Sequence, residues 1–158
     1  NKNNFFVQIA NDNSDGQIVL SGKNSELDKL IELLKKSHIK NIKLPVSAPF
    51  HCMLMKQATE IMNKEINKIN FLEGKNKLIS NVTAQEIKNN DELKSLLIRQ
   101  IENRVRWRES VINMINNGVN HFIEIGPGKV LSGLVKRINK NVKINSINNE
   151  IDIKDLVI

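Results

Sequence analysis

The stretch His121-Phe122-Ile123-Glu124-Ile125-Gly126-Pro127-Gly128-Lys129-Val130-Leu131-Ser132-Gly133-Leu134-Val135-Lys136-Arg137-Ile138 decides the fold class. A short apolar run enters a Gly-Pro-Gly turn, and beyond it Leu131, Leu134, Val135 and Ile138 recur at helical spacing. Val142 to Ile147 reads as a further strand. Strand, helix and strand in that order form the unit of a parallel sheet with helices on its faces. Upstream, Leu54, Ala58, Ile61, Met62, Ile66 and Ile69 mark one face of a helix over 52–68. Leu78 to Val82 reads as a short buried strand. Leu93, Leu96, Leu97 and Ile101 make another helix, and a further one runs over 108–117 with Gly118 as its stop. From residue 52 onward the chain is therefore expected to be α/β.

The first 46 residues read differently. Phe5 to Ala10 is a short apolar run, Asn11 to Gly16 is a cluster of turn formers, and Gln17 to Ser21 resumes as a strand. Ser25, three residues before Asp28, suggests a cap for a helix over 25–37 whose face is Leu27, Leu30, Ile31 and Leu34. Asn41 to Val46 reads as a third strand, giving β-β-α-β. Pro45 and Pro49 then hold the connector extended and forbid a helix until after Pro49, so His51 is delivered to a helix start.

Across 158 residues, hydrophobic side chains make up 40% and charged ones 26%, which predicts a folded chain of one core or a piece of one. Asn (24), Ile (22) and Lys (19) supply 65 positions, while Tyr is absent, a skew that matches AT-rich codon usage and carries little chemistry. The net charge of +7 admits a polyanionic partner but selects none. Nucleic-acid binding finds no aromatic interleaving or helix-turn-helix to support it. The single Cys52 excludes an internal disulfide and a Cys-based zinc cluster, and three scattered histidines give no metal spacing. No apolar run approaches the roughly 20 residues that span a bilayer, so a soluble chain without a membrane partner is expected.

Three features could carry chemistry. His51 stands between a Pro-fixed connector and a helix, although a lone histidine is more often simply satisfied; the same holds for His38 and His121. Gly126 to Lys129 could hold a phosphate at a helix N-terminus, but it departs from both nucleotide fingerprints and reads better as a tight structural turn. Asn11 and Asn13 beside Gly16 are turn residues on their own.

Five segments taken in order resemble one family: Asn13 to Gly22, Leu44 to Met55, Ile98-Arg99-Gln100, Val105-Arg106-Trp107, and Glu124 to Leu134. They are similar to malonyl-coenzyme A:acyl carrier protein transacylase, the acyltransferase that loads malonyl units in fatty-acid synthesis. The resemblance implies an α/β fold with a hydrolase-like parallel-sheet core and an inserted small ferredoxin-like subdomain. Only the C-terminal part of that fold is expected here: residues 1–46 as the latter part of the small subdomain, and 47–158 as the C-terminal part of the large acyltransferase subdomain.

The resemblance also implies roles. His51 matches the catalytic histidine, which takes the serine proton and later activates the phosphopantetheine thiol. Gln100 matches the position whose backbone carbonyl holds the imidazole. Phe50 matches an aromatic that crowds a methyl branch and so favours malonyl, and Asn11 and Asn13 match asparagines facing the cleft. None of the ten serines lies in a Gly-x-Ser-x-Gly elbow. In family order the nucleophile, the oxyanion-hole segment and the carboxylate-binding arginine all precede Asn1. The implied partners are malonyl-CoA, an acidic acyl carrier protein and the N-terminal half of the same enzyme. Coenzyme A thioester enters as substrate, with no tightly bound cofactor and no metal. The basic surplus would then form a rim that includes Lys129, Lys136 and Arg137. A plastid-like organelle is the implied location in an AT-rich eukaryote, and the cytoplasm otherwise. The alternatives are an acyltransferase domain of a larger fatty-acid or polyketide synthase and, more remotely, a non-catalytic basic binding protein.

Overall fold

The computed structural model describes residues 6–154 and 156; Phe5, the first residue of the first apolar run, lies outside them. Strands β1 (Val7–Ser14) and β2 (Gln17–Gly22) form an antiparallel hairpin, followed by helix α1 (Asn24–Lys36). A 3-10 turn (Met53–Met55) leads into α2 (Lys56–Lys68), then α3 (Asn90–Arg99) and α4 (Trp107–Asn116). Strand β3 (His121–Ile125), helix α5 (Val130–Ile138) and parallel strand β4 (Lys143–Ile147) make the expected β-α-β unit, and α6 (Glu150–Lys154) comes after it. The architecture is α/β with one small antiparallel and one small parallel sheet.

β1 is longer than the sequence suggests. Asn11, Asp12 and Asn13 are poor strand formers, yet they belong to the strand, and the turn is confined to Asp15 and Gly16, with Gly16 at φ 72°. The cause is tertiary. Val105 N–H donates to the Ala10 carbonyl at 2.8 Å and Asp12 N–H to the Val105 carbonyl at 2.9 Å, so β1 is paired on both sides. Backbone pairing on two edges overrides a modest side-chain propensity. Ala10, Asp12 and Ser14 are buried, and β1 packs against α4 and α5. With Val111, Leu134 and Val135 from those helices, Ala10 forms the centre of the core.

Three local expectations are corrected, and one helix is added. Asn41 to Val46 forms no strand: its backbone has no ladder partner among the described residues, and Ile42, Leu44 and Val46 are exposed. Leu78 to Val82 contributes a single bridge, Ile79 to Glu86, because the chain turns at once through Ser80, whose hydroxyl accepts from the Val82 N–H at 3.1 Å. Ser25 does not cap α1, which already begins at Asn24. The last strand is followed by a helix, α6, begun by Asn149, whose side-chain oxygen accepts from the Ile151 N–H at 2.9 Å.

Helix α3 ends facing His51, so the placement of its two ends bears directly on that residue. Asn89 caps its start, accepting from the Glu92 N–H at 2.8 Å, while the Glu92 carboxylate accepts from the Lys88 N–H at 2.8 Å. Asn89→Ala is expected to lower stability by about 1 kcal/mol, read as a lower urea midpoint with an unchanged slope.

Candidate active site

His51 occupies a bend that sequence reasoning only outlined. Val46 N–H reaches the Leu44 carbonyl at 2.9 Å and Phe50 N–H the Ala48 carbonyl at 3.0 Å, so the proline connector turns twice. His51 itself adopts φ 59°, in the left-handed region that side chains seldom occupy. Cys52 is fully buried and its thiol donates to the Pro49 carbonyl at 3.1 Å, closing the bend beneath the histidine.

The imidazole Nδ1 lies 2.8 Å from the backbone carbonyl oxygen of Gln100. A carbonyl can only accept, so Nδ1 carries the proton and donates. In the neutral ring this leaves Nε2 as the lone-pair nitrogen, the form a proton acceptor needs. Gln100 follows the last turn of α3, where helix carbonyls lack intrahelical partners and the helix dipole is negative. The carbonyl therefore turns partial negative charge toward the imidazole ring.

Gln100 is held in turn. Its side-chain oxygen accepts from Asn81 Nδ2 at 3.3 Å, and the Asn81 carbonyl accepts from the Arg106 N–H at 2.9 Å. The Arg106 guanidinium donates to the Val82 and Thr83 carbonyls and pairs with Glu109. That pairing raises the Arg106 guanidinium and holds the Glu109 carboxyl below its ordinary range, in each case chiefly through the side-chain hydrogen bond. Asn81 was not singled out in the sequence, because nothing local distinguishes it from the surrounding turn.

The other candidates are placed less directly. Phe50 adjoins His51 and its side chain is 48% exposed. Asn11 and Asn13 are half-buried on β1, in alternation with the buried Asp12 and Ser14. No side-chain hydrogen bond joins either asparagine to His51 among the described residues. A shallow hollow of about 390 Å³ between α2 and α3 is lined by Asn63, Asn67, Lys94 and Arg99 and does not include His51.

The Gly126 turn is structural. Gly126 and Gly128 adopt φ 137° and 92°, and their amides are spent on protein acceptors: Gly126 N–H on the Ile147 carbonyl at 3.0 Å, Gly128 N–H on Asn148 Oδ1 at 2.6 Å. At the start of α5, Glu124 accepts from the Leu131 and Ser132 N–H groups at 3.0 and 2.7 Å. The protein's own carboxylate thus fills the place a phosphate would take. The Ser132 hydroxyl first, and then the amides, hold the Glu124 carboxyl below the usual range. A lowered carboxyl pKa gives stability that is present above the ordinary glutamate value of about 4.3 and lost as pH falls below it. Glu124→Gln should therefore cost about 1 kcal/mol at neutral pH, with the gap to the parent narrowing in acid-titrated melting curves.

The α/β scaffold thus presents a histidine whose Nδ1 donates to a backbone carbonyl, the tautomer that a proton acceptor at Nε2 would need. No family model matches the chain. It is 42% identical over 150 residues to the malonyl CoA-acyl carrier protein transacylase of Staphylococcus aureus, covering 94% of this chain and 49% of that protein. The crystal structure of the Clostridium perfringens transacylase superposes with a TM-score of 0.90 at 41% identity, over 95% of this chain and 48% of the other. A solved complex of a malonyl-transacylase with its type II PKS acyl-carrier protein gives a TM-score of 0.90 at 32% identity, over 94% and 48%. By sequence and by fold the chain is similar, over nearly its whole length, to malonyl CoA-acyl carrier protein transacylases. It spans about half the length of the curated relatives it matches.

Among the described residues no helix is long and apolar enough to cross a membrane.

Proposed function

We propose that the protein carrying this chain transfers a malonyl group from malonyl-CoA to the phosphopantetheine thiol of an acyl carrier protein. The observation that carries this reading is the 2.8 Å bond between His51 Nδ1 and the Gln100 carbonyl, which leaves Nε2 as the base. In the first half-reaction His51 Nε2 takes the proton of a serine hydroxyl supplied by a segment outside this chain. The serine oxygen bonds to the thioester carbon, the carbon–sulfur bond breaks, and the coenzyme A thiolate leaves with the proton from His51. In the second, His51 takes the proton of the carrier thiol, whose sulfur displaces the serine oxygen. The proton returns to serine, and both enzyme groups are restored.

Phe50, beside His51, would crowd a branched acyl group, and Asn11 and Asn13 would line the cleft. The division into a ferredoxin-like part, residues 1–46, and a hydrolase-like part, 47–158, belongs to the same reading and is supported by the antiparallel hairpin in one and the β-α-β unit in the other. Coenzyme A phosphates and an acidic carrier protein would meet the positive charge of the chain, including Lys129, Lys136 and Arg137.

The direct test is intact-mass measurement of full-length protein after incubation with malonyl-CoA. A single malonyl adduct that is discharged by holo-acyl carrier protein is expected. No adduct, or one that the carrier does not discharge, would overturn the reading.

A further inference from the structure

His51 at φ 59° is a conformation the chain does not adopt unaided, and a residue held there needs its neighbours to over-determine it. The Gln100 carbonyl fixes the ring, and the Cys52 thiol fixes the chain before it. The chain after it begins a 3-10 turn at Met53, whose first amides have no partner within the turn, and Cys52, at the cap position, offers no side-chain cap. The missing acceptor comes from far away in sequence: Gln8 Oε1, on β1, accepts from the Met53 N–H at 2.8 Å. Met53 is two residues beyond His51. β1 is itself secured by its bonds to Val105 and by the Asp12–Arg108 pair, so Gln8 reaches Met53 from a fixed strand. Nothing else in its surroundings requires a glutamine, since Gln8 is exposed and a strand position of that kind accepts most polar residues.

We propose that Gln8 is a positioning residue for His51: its side-chain carbonyl caps the turn after the histidine and holds the backbone torsion that aims Nε2. This rests on His51 being the base of the proposed transfer. Without the cap, the Met53 amide turns to water and the strained bend relaxes toward ordinary φ, carrying Nε2 off line. A displacement of the order of 1 Å at a reacting group costs up to about a hundredfold in rate.

The test uses full-length protein and three variants. Gln8→Leu removes the acceptor at similar size, Gln8→Glu keeps an acceptor oxygen, and His51→Ala serves as reference. For Gln8→Leu, kcat for malonyl transfer is expected to fall about tenfold or more with KM for malonyl-CoA unchanged, while Gln8→Glu restores most of the loss. In ¹⁵N spectra of the imidazole, the parent and Gln8→Glu should show one sharp Nδ1–H tautomer, and Gln8→Leu a mixture. Parent-like kcat and spectra for Gln8→Leu, or an equal loss in Gln8→Glu, would overturn the role of Gln8 while leaving His51 in place. Full activity in His51→Ala would instead overturn the functional reading beneath it.

Discussion

Full-length protein carrying His51→Ala is expected to load and discharge malonyl groups about 100- to 10,000-fold more slowly than the parent. Both half-reactions of the proposed transfer need a group that takes a proton from a hydroxyl or thiol and returns it, and the tautomer set by the Gln100 carbonyl would leave His51 Nε2 to do so. The loss should appear in both steps, seen as slow adduct formation by mass and slow discharge to carrier protein. Gln100→Ala supplies the contrast. It removes the side chain and its bond to Asn81 but leaves the carbonyl that holds the ring, so its effect on rate should be far smaller. Unchanged loading in His51→Ala, or an equal loss in Gln100→Ala, would be incompatible with the geometry.

Arg108→Ala is expected to destabilise the protein more than removal of either of its acidic partners, because it leaves a buried carboxylate without its cation. Arg108 grips Asp12 with two hydrogen bonds, Nε to Oδ1 at 3.0 Å and Nη2 to Oδ2 at 2.9 Å. Asp12 is only 6% exposed, so losing its partner strands a carboxylate in the core. The loss stays below that of a fully buried pair, because the Arg108 side chain is 37% exposed. Asp12→Ala should cost less, about 1 kcal/mol, because the freed guanidinium can turn to water and to Asp15. Asp15→Ala should cost close to nothing, its side chain being 94% exposed. Urea unfolding of the three variants checks that order, and equal losses for Arg108→Ala and Asp15→Ala would contradict it.

The β-α-β unit at the C-terminal end was legible because its signals are local. Apolar spacing in Leu131, Leu134, Val135 and Ile138 and the glycines of the turn act over a few residues. The connector to His51 was legible for the same reason, through Pro45 and Pro49. Much of what failed depended on distant partners. Asn11 and Asp12 read as a turn until Val105 and Arg108, more than ninety positions away, supply the bonds that make them strand. Asn41 to Val46 has true strand alternation, but alternation specifies a face and not a neighbour, and no neighbour pairs with it among the described residues. His51 and Gln100 were paired by resemblance to a family. Gln8 and Asn81 left no trace in the sequence, because an exposed glutamine and a turn asparagine look the same whether or not they hold something up.

The acceptor that orients His51 is main chain, and this changes what inheritance must preserve. A carboxylate in that place would tie the site to an acidic side chain, whereas a carbonyl is supplied by any amino acid at position 100. The burden passes from identity to length. Each residue of an α-helix advances about 100° around its axis, so inserting or deleting one residue in α3 would swing the carbonyl away from the ring although every side chain of the site survived. Substitution at residue 100 forfeits only the bond to Asn81, whereas a change in the number of residues between Asn89 and the end of α3 forfeits the acceptor itself.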